Sequence, residues 1–188
     1  MATVHATTMA PTKLELVAGW LPRQPWYRGT GTPELSRAGG FRLDDPAGDV
    51  GIEFLLVTDG TGADATTYCV PLTYRGAALD EAADGFLGTS EHGVLGTRWI
   101  YDAERDPVAV AQLLAFVGGA VEAQHATRSD TPDPTVGRSP AGGGQQPTAV
   151  EIVRVPGPGA AGDGGGTVEA DWIRPDGSTA RGIVAVVR

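Results

Sequence analysis

Residues Val50 to Asp59, VGIEFLLVTD, constrain the fold more than any other stretch. Side chains alternate along a strand, so Val50, Ile52, Phe54 and Leu56 share one face and Gly51, Glu53, Leu55 and Val57 the other. The first face is wholly apolar and demands burial. The second is half apolar, which calls for partial cover and leaves Glu53 as an exposed surface position. The stretch from Gly39 to Asp102 supplies neighbours. Gly40 to Asp45 reads as a strand closed by Asp45-Pro46 and Gly48. After the Asp59-Gly60 turn, Thr66 to Arg75 returns with Tyr68, Val70, Leu72 and Tyr74 on one face. Pro71 cannot donate to a ladder, so this strand lies at an edge or carries a bulge there. The pair predicts a hairpin with a loop longer than two residues.

The flanks are read the same way. Thr3 to Thr8 is a possible strand. Pro11 suits the first turn of a helix whose Leu14, Val17, Ala18 and Leu21 recur at helical spacing, and Pro22 ends it. The following loop carries Trp26 and Tyr27 among prolines and glycines, either as a packed lid or as a binding loop. Ala77 to Gly85 is a turn or short helix, and Gly93 to Tyr101 a strand with Leu95, Trp99 and Tyr101 on one face. Asp106-Pro107 opens a second helix with a stripe of Val110, Leu113, Leu114 and Val117, closed by Gly118-Gly119. Between Glu122 and Pro147 large apolar residues almost vanish, so a mobile linker is expected over 122–147. Three strands follow, at Ala149–Val155, Thr167–Ile173 and Ala180–Val187, the last two joined through Pro175-Asp176-Gly177. This divides the chain into 1–121, 122–147 and 148–188. Three strands alone are marginal in water, so the last part is expected to join the same sheet or core. They would dock beside or over the Leu55 and Val57 face, which the two helices are expected to leave uncovered.

Charge excludes some functions. The formal net charge of the 188 residues is −9; lysine and arginine total 14 and only Lys13 is a lysine. No basic face for nucleic acid and no polybasic patch for a membrane is expected from scattered arginines. The single cysteine, Cys69, forms no disulfide within the chain. Without a basic, then apolar leader, no secretory signal is expected, and the localisation read from this is cytoplasmic.

Reaction signatures are weak throughout. Gly157 to Gly162 matches GxGxxG by letters, but it is followed by another strand where a dinucleotide loop needs a helix start. His5, His92 and His125 lack metal spacing with one another or with Cys69, so neither a metal site nor a cofactor is expected. Asp44, Asp45, Asp49 and Glu53 form an acidic run. Adjacent Asp44 and Asp45 point to opposite faces of a strand, which does not place two carboxylates across a cleft. Arg42, Arg75 and Arg98 are expected to pair with these carboxylates on a solvated sheet face. No residue is assigned a catalytic role. Candidate binding residues are Trp26 and Tyr27 in the loop and Arg42 and Asp44 at the end of the first long strand.

The words PTKLELVAGWLP, PWYRG, AGGFRLDDPAGDVGIEFLLVTDG, YCVPLTYRGAAL, EHGVLGTRWIYDAERDPV and SDTPDPTV carry a family resemblance. From the N-terminus to about Val136 the chain resembles the N-terminal cap domain of actinobacterial maltokinases. The resemblance implies an α+β fold, a twisted antiparallel sheet packed on one or two helices in a cystatin-like cap, here extended by C-terminal strands. It implies a place in maltose, trehalose and α-glucan metabolism, because in that family the cap precedes a kinase that phosphorylates maltose with ATP. The kinase lobes carry a loop like HGDxHxxN and a metal-binding aspartate. Neither is present here, so the resemblance implies a cap without them. The expected function is a non-catalytic module that binds a protein partner, such as a sugar kinase or α-glucan enzyme, or a sugar. The alternatives are a small sugar-processing enzyme built around Trp26 and Tyr27, and a trans-acting subunit of a capless sugar kinase.

Overall fold

The computed structural model describes residues 8–142, 147–157 and 165–188. The possible strand at Thr3–Thr8, save its last residue, and most of the Gly157–Gly162 pattern lie outside them. The elements run β1 (Met9–Ala10), α1 (Lys13–Trp20), β2 (Leu35–Asp44), β3 (Gly51–Asp59), β4 (Thr66–Arg75), β5 (Phe86–His92) and β6 (Gly96–Asp102). They continue as α2 (Pro107–Val117), β7 (Gln124–His125), β8 (Gly137–Ser139), β9 (Val150–Gly157), β10 (Gly166–Ile173) and β11 (Thr179–Val187). The result is an α+β fold dominated by one antiparallel sheet in the order β1-β5-β6-β4-β3-β2-β10-β11-β9, with β7 added to β2 and β8 to β10. The sheet curls until β9, its last strand, lies against β4.

Local chemistry sets both helices. Thr12 and Glu15 form a reciprocal capping box at the start of α1: Thr12 Oγ1 accepts from the Glu15 amide and the Glu15 carboxylate accepts from the Thr12 amide. Asp106 caps α2 through the Val108 amide at 3.0 Å, and Pro107 occupies the first turn. The buried stripe of α2 is Ala109, Leu113, Phe116 and Val117, one position round from a stripe through Val110 and Leu114.

β3 is covered on both faces, which differs from the half-covered strand expected. Ile52, Phe54 and Leu56 belong to a core with Phe41, α2 and the C-terminal strands, including Val168, Trp172 and Val184. Phe54 stacks on Phe41 with ring centroids 4.5 Å apart. Leu55 and Val57 belong to a second core with Val17, Trp20 and Leu21 of α1 and its extension. The face expected to lack helical cover is therefore the one α1 covers, and the C-terminal strands close the opposite face. They reach it by extending the sheet: β10 meets β2 at Trp172 and Gly39.

Two glycines permit this geometry. Gly40, just past a bulge between Arg37 and Gly39, has φ of +136°, and a Cβ there would collide with the Phe54 carbonyl oxygen. At Gly88, with φ of +148°, a second bulge interrupts β5. That bulge breaks the alternation of β5, for which no strand was expected, whereas the strand expected at Gly93–Tyr101 is found as β6 from Gly96, with Gly93–Leu95 forming the turn between the two. Pro71 sits where β6 stops pairing, since β6 pairs only with Leu72 to Arg75 of β4. On that side its missing N–H costs no ladder bond.

The described part of 122–147 departs from an unstructured linker. It contributes β7 and β8, buries Ala123, and is held by two arginines. Arg42 donates to the carbonyls of His125 and Arg128, both at 3.1 Å, and Arg138 to those of Phe116 and Val121 at 3.0 and 2.7 Å. Backbone and guanidinium bonds thus replace the large apolar side chains that this segment lacks.

Candidate functional site

α1 covers only part of its face of the sheet. Beyond it the register places a row of polar side chains on that same face. Arg42 of β2 lies opposite Glu53 of β3, Gly51 lies opposite Tyr74 of β4, Tyr74 lies opposite Ile100 of β6, and Arg98 lies opposite Ser90 of β5. Residues directly opposite share a face, and residues two apart on one strand do as well. Arg42, Glu53, Tyr74, Arg98 and His92 therefore span five strands on one face. They floor a cleft of about 750 Å³, walled by the Asp45–Val50 turn, the Arg75–Ala78 exit of β4 and the β5–β6 turn.

Glu53 is the centre of the floor. It is 5% exposed, which corrects its expected place on a solvated surface. Its carboxylate takes Lys13 Nζ at 2.5 Å, Arg37 Nη2 at 3.1 Å and the Tyr74 hydroxyl at 2.9 Å. A buried carboxylate persists only with such partners. Burial, followed by the Glu53 charge, pushes the Tyr74 phenol well above its ordinary range, so it stays a donor.

Other charges around the cleft are also committed. Asp45 accepts from the amides of Ala47, Asp49 and Val50 and shapes the turn. Arg75, expected to serve the acidic run, grips Asp106 instead through two bonds of 2.7 Å. Burial alone would raise the Asp106 carboxyl, but the Arg75 fork and the Val108 amide outweigh it and hold the group below its ordinary value. Arg98 donates to the Leu95 carbonyl, and its Nε is buried without an acceptor.

Trp26 and Tyr27 lie elsewhere. They pack over Tyr68 with centroids 6.0 and 5.6 Å away, and Trp26 also meets Trp20 at 5.7 Å. The Tyr27 hydroxyl donates to Asp59 at 2.8 Å; burial first, then this carboxylate, pushes the phenol up to about 12. The Arg154 guanidinium covers the Trp26 ring at 4.9 Å. Arg154, on β9, also donates to Asp102 at 2.6 Å and Glu104 at 2.5 Å. Of the four candidate binding residues, Arg42 lines the cleft, Trp26 and Tyr27 sit together in the aromatic cluster, and Asp44 stands at the end of β2 with Oδ1 buried and unbonded.

The sequence reading missed Lys13, Arg37, Glu53 and Tyr74 as a unit. Cys69, fully buried, has its thiol pushed up to about 12 by desolvation. Among the described residues no group of His, Cys, Asp and Glu is arranged to hold a metal ion, and no helix is long and apolar enough to cross a membrane.

The fold and cleft define a sheet-and-helix module with a polar cleft on one face. Residues 20–106 match the family model of the maltokinase N-terminal cap domain. The match takes in Arg42, Glu53, Tyr74 and Arg98 of the floor, whereas Lys13 and Arg154 lie outside it. A search of the curated proteins finds no match.

Proposed function

We propose that the chain acts as a non-catalytic, cap-like accessory module in maltose and α-glucan metabolism, working by binding a protein partner or a sugar. The observation that carries this reading is the match of residues 20–106 to the maltokinase N-terminal cap domain. In this reading the cystatin-like unit is α1 against the β2–β6 part of the sheet. The cleft beyond α1, with its mixture of donors and acceptors, suits recognition more than turnover. Two of its carboxylates fit the same view, because Glu53 and Asp45 are engaged by fixed donors.

The test pairs binding with turnover. Calorimetric titration with maltose and maltotriose, and co-elution with maltokinase lobes lacking their own cap, should reveal binding to at least one. The chain alone should phosphorylate no maltose with ATP. Binding to none of these, or phosphorylation that survives repurification and disappears with Glu53→Gln, overturns the reading.

A further inference from the structure

Several charges at the cleft are balanced by fixed partners, whereas Arg98 is not. Lys13 and Arg37 converge on Glu53, Arg75 on Asp106, and the Asp45 carboxylate on three peptide amides. Arg98 has no carboxylate within ion-pair reach among the described residues. One of its terminal nitrogens serves the Leu95 carbonyl, Nε is buried without an acceptor, and Nη1 faces Gly76 so closely that a Cβ there would stand 3.0 Å away. A buried guanidinium N–H without an acceptor is costly, and a planar fork is matched best by an oxyanion with two acceptor atoms.

We propose that this cleft binds a small molecule carrying an oxyanion, a phosphate or a carboxylate, received on the Arg98 fork. Three features support it. The Glu53 cluster carries two cations for one carboxylate, in the cleft that Arg98 also lines. The cleft volume of about 750 Å³ falls within the roughly 300–1,000 Å³ range of small-molecule sites. Gly76, where a Cβ would stand 3.0 Å from Nη1, presents no side chain of its own to the fork. The site stands whether or not the module serves a kinase or a sugar, because it rests on the cleft chemistry alone.

The test observes Arg98 directly. In the 15N-labelled chain, the Arg98 Nε–Hε signal is identified by its disappearance in Arg98→Lys. Sodium phosphate and sodium acetate are titrated separately at constant ionic strength, which keeps screening fixed. A saturable shift of that signal is expected, with phosphate if the natural ligand is phosphorylated and with acetate if it bears a carboxylate. Arg98→Lys should weaken binding about tenfold or more by amide signals of the β5–β6 turn, since an ammonium cannot reproduce the fork. Gly76→Ala, which presses a methyl on Nη1, should weaken it while the melting curve shows the chain folded. Arg174→Gln, on the exposed β10–β11 turn, should leave it unchanged. An Arg98 signal that neither anion moves, a shift that never saturates, or equal affinity in Arg98→Lys overturns the proposal.

Discussion

Two buried charge clusters in this molecule are built in opposite proportions. At the cleft, one carboxylate, Glu53, holds two cations and a phenol; at the joint with the C-terminal strands, one cation, Arg154, holds two carboxylates and an indole. Their exposure differs as well. The cations differ most: the Lys13 and Arg37 side chains are 29% and 34% exposed and Arg154 9%, while Glu53 and Asp102 are both buried and Glu104 is 27% exposed. The open cluster keeps its cations partly in water, where charge remains available to a visiting group. The sealed cluster bonds β9 to the end of β6 and the turn after it through Arg154 Nη2, while Nη1 is buried without an acceptor. Burial shifts Asp102 upward, and Arg154 only partly offsets this. The guanidinium moves the other way, above its ordinary value, because the two carboxylates outweigh its own desolvation. Sealing thus makes a charge cluster a fastening; leaving it open at a cleft makes it a site.

The largest effect should come from the sealed cluster. Arg154→Met leaves Asp102 buried without its counter-charge and should cost about 3–5 kcal/mol in urea denaturation. A loss under about 1 kcal/mol would mean that water reaches the cluster and that the contrast with the cleft is false.

Glu53→Gln comes next. It keeps the shape but sets Lys13 and Arg37 against each other over Tyr74, at a cost of about 1–3 kcal/mol. That exceeds the roughly 0.5 kcal/mol of an ordinary surface position, which the alternation of β3 alone would assign to it. If Glu53→Gln proved more damaging than Arg154→Met, the cleft would be the sealed cluster and the joint the open one.

Acid titration separates two aspartates that shift in opposite directions. Asp106 is depressed, so the unfolded chain binds its proton first and stability is lost as pH falls below about 3.9 through the lower folded value. Asp102 is raised, so its contribution declines as pH rises from about 3.9 through the higher folded value. Denaturation midpoints measured across acid pH should therefore flatten in Asp106→Asn and steepen in Asp102→Asn. Parallel behaviour of the two variants would show that burial does not dominate at Asp102.

Lys13→Met should change stability least, within about 1 kcal/mol, because the side chain is partly solvated and Arg37 still covers Glu53. A larger loss would show that the open cluster fastens α1 to the sheet as firmly as Arg154 fastens β9.

Much of the fold was legible locally. The Val50–Asp59 alternation sets the register of β3, Asp106-Pro107 starts α2 where the cap requires it, and the Pro175-Asp176-Gly177 turn joins β10 to β11. The β5–β6 hairpin was not legible, because the bulge at Gly88 erases the period that marks a strand. The site was less legible still. Glu53 among apolar neighbours reads as a solvent position, since its partners come from 40, 16 and 21 residues away. Trp26 and Tyr27 show up as aromatics in a loop, but Tyr68, which they pack on, lies on a strand far along the chain.

By itself the sequence determined what short-range chemistry can decide: which face of a strand is apolar, where a helix is capped, where a chain turns. It also carried, in contiguous words, the likeness to the maltokinase N-terminal cap domain whose model residues 20–106 match. Only the tertiary structure decided that α1 covers the Leu55 and Val57 face, that the C-terminal strands close the opposite one, and that Glu53 is buried. The physical reason is that burial of a charge depends on counter-charges brought from distant segments, and alternation along one strand contains no record of them.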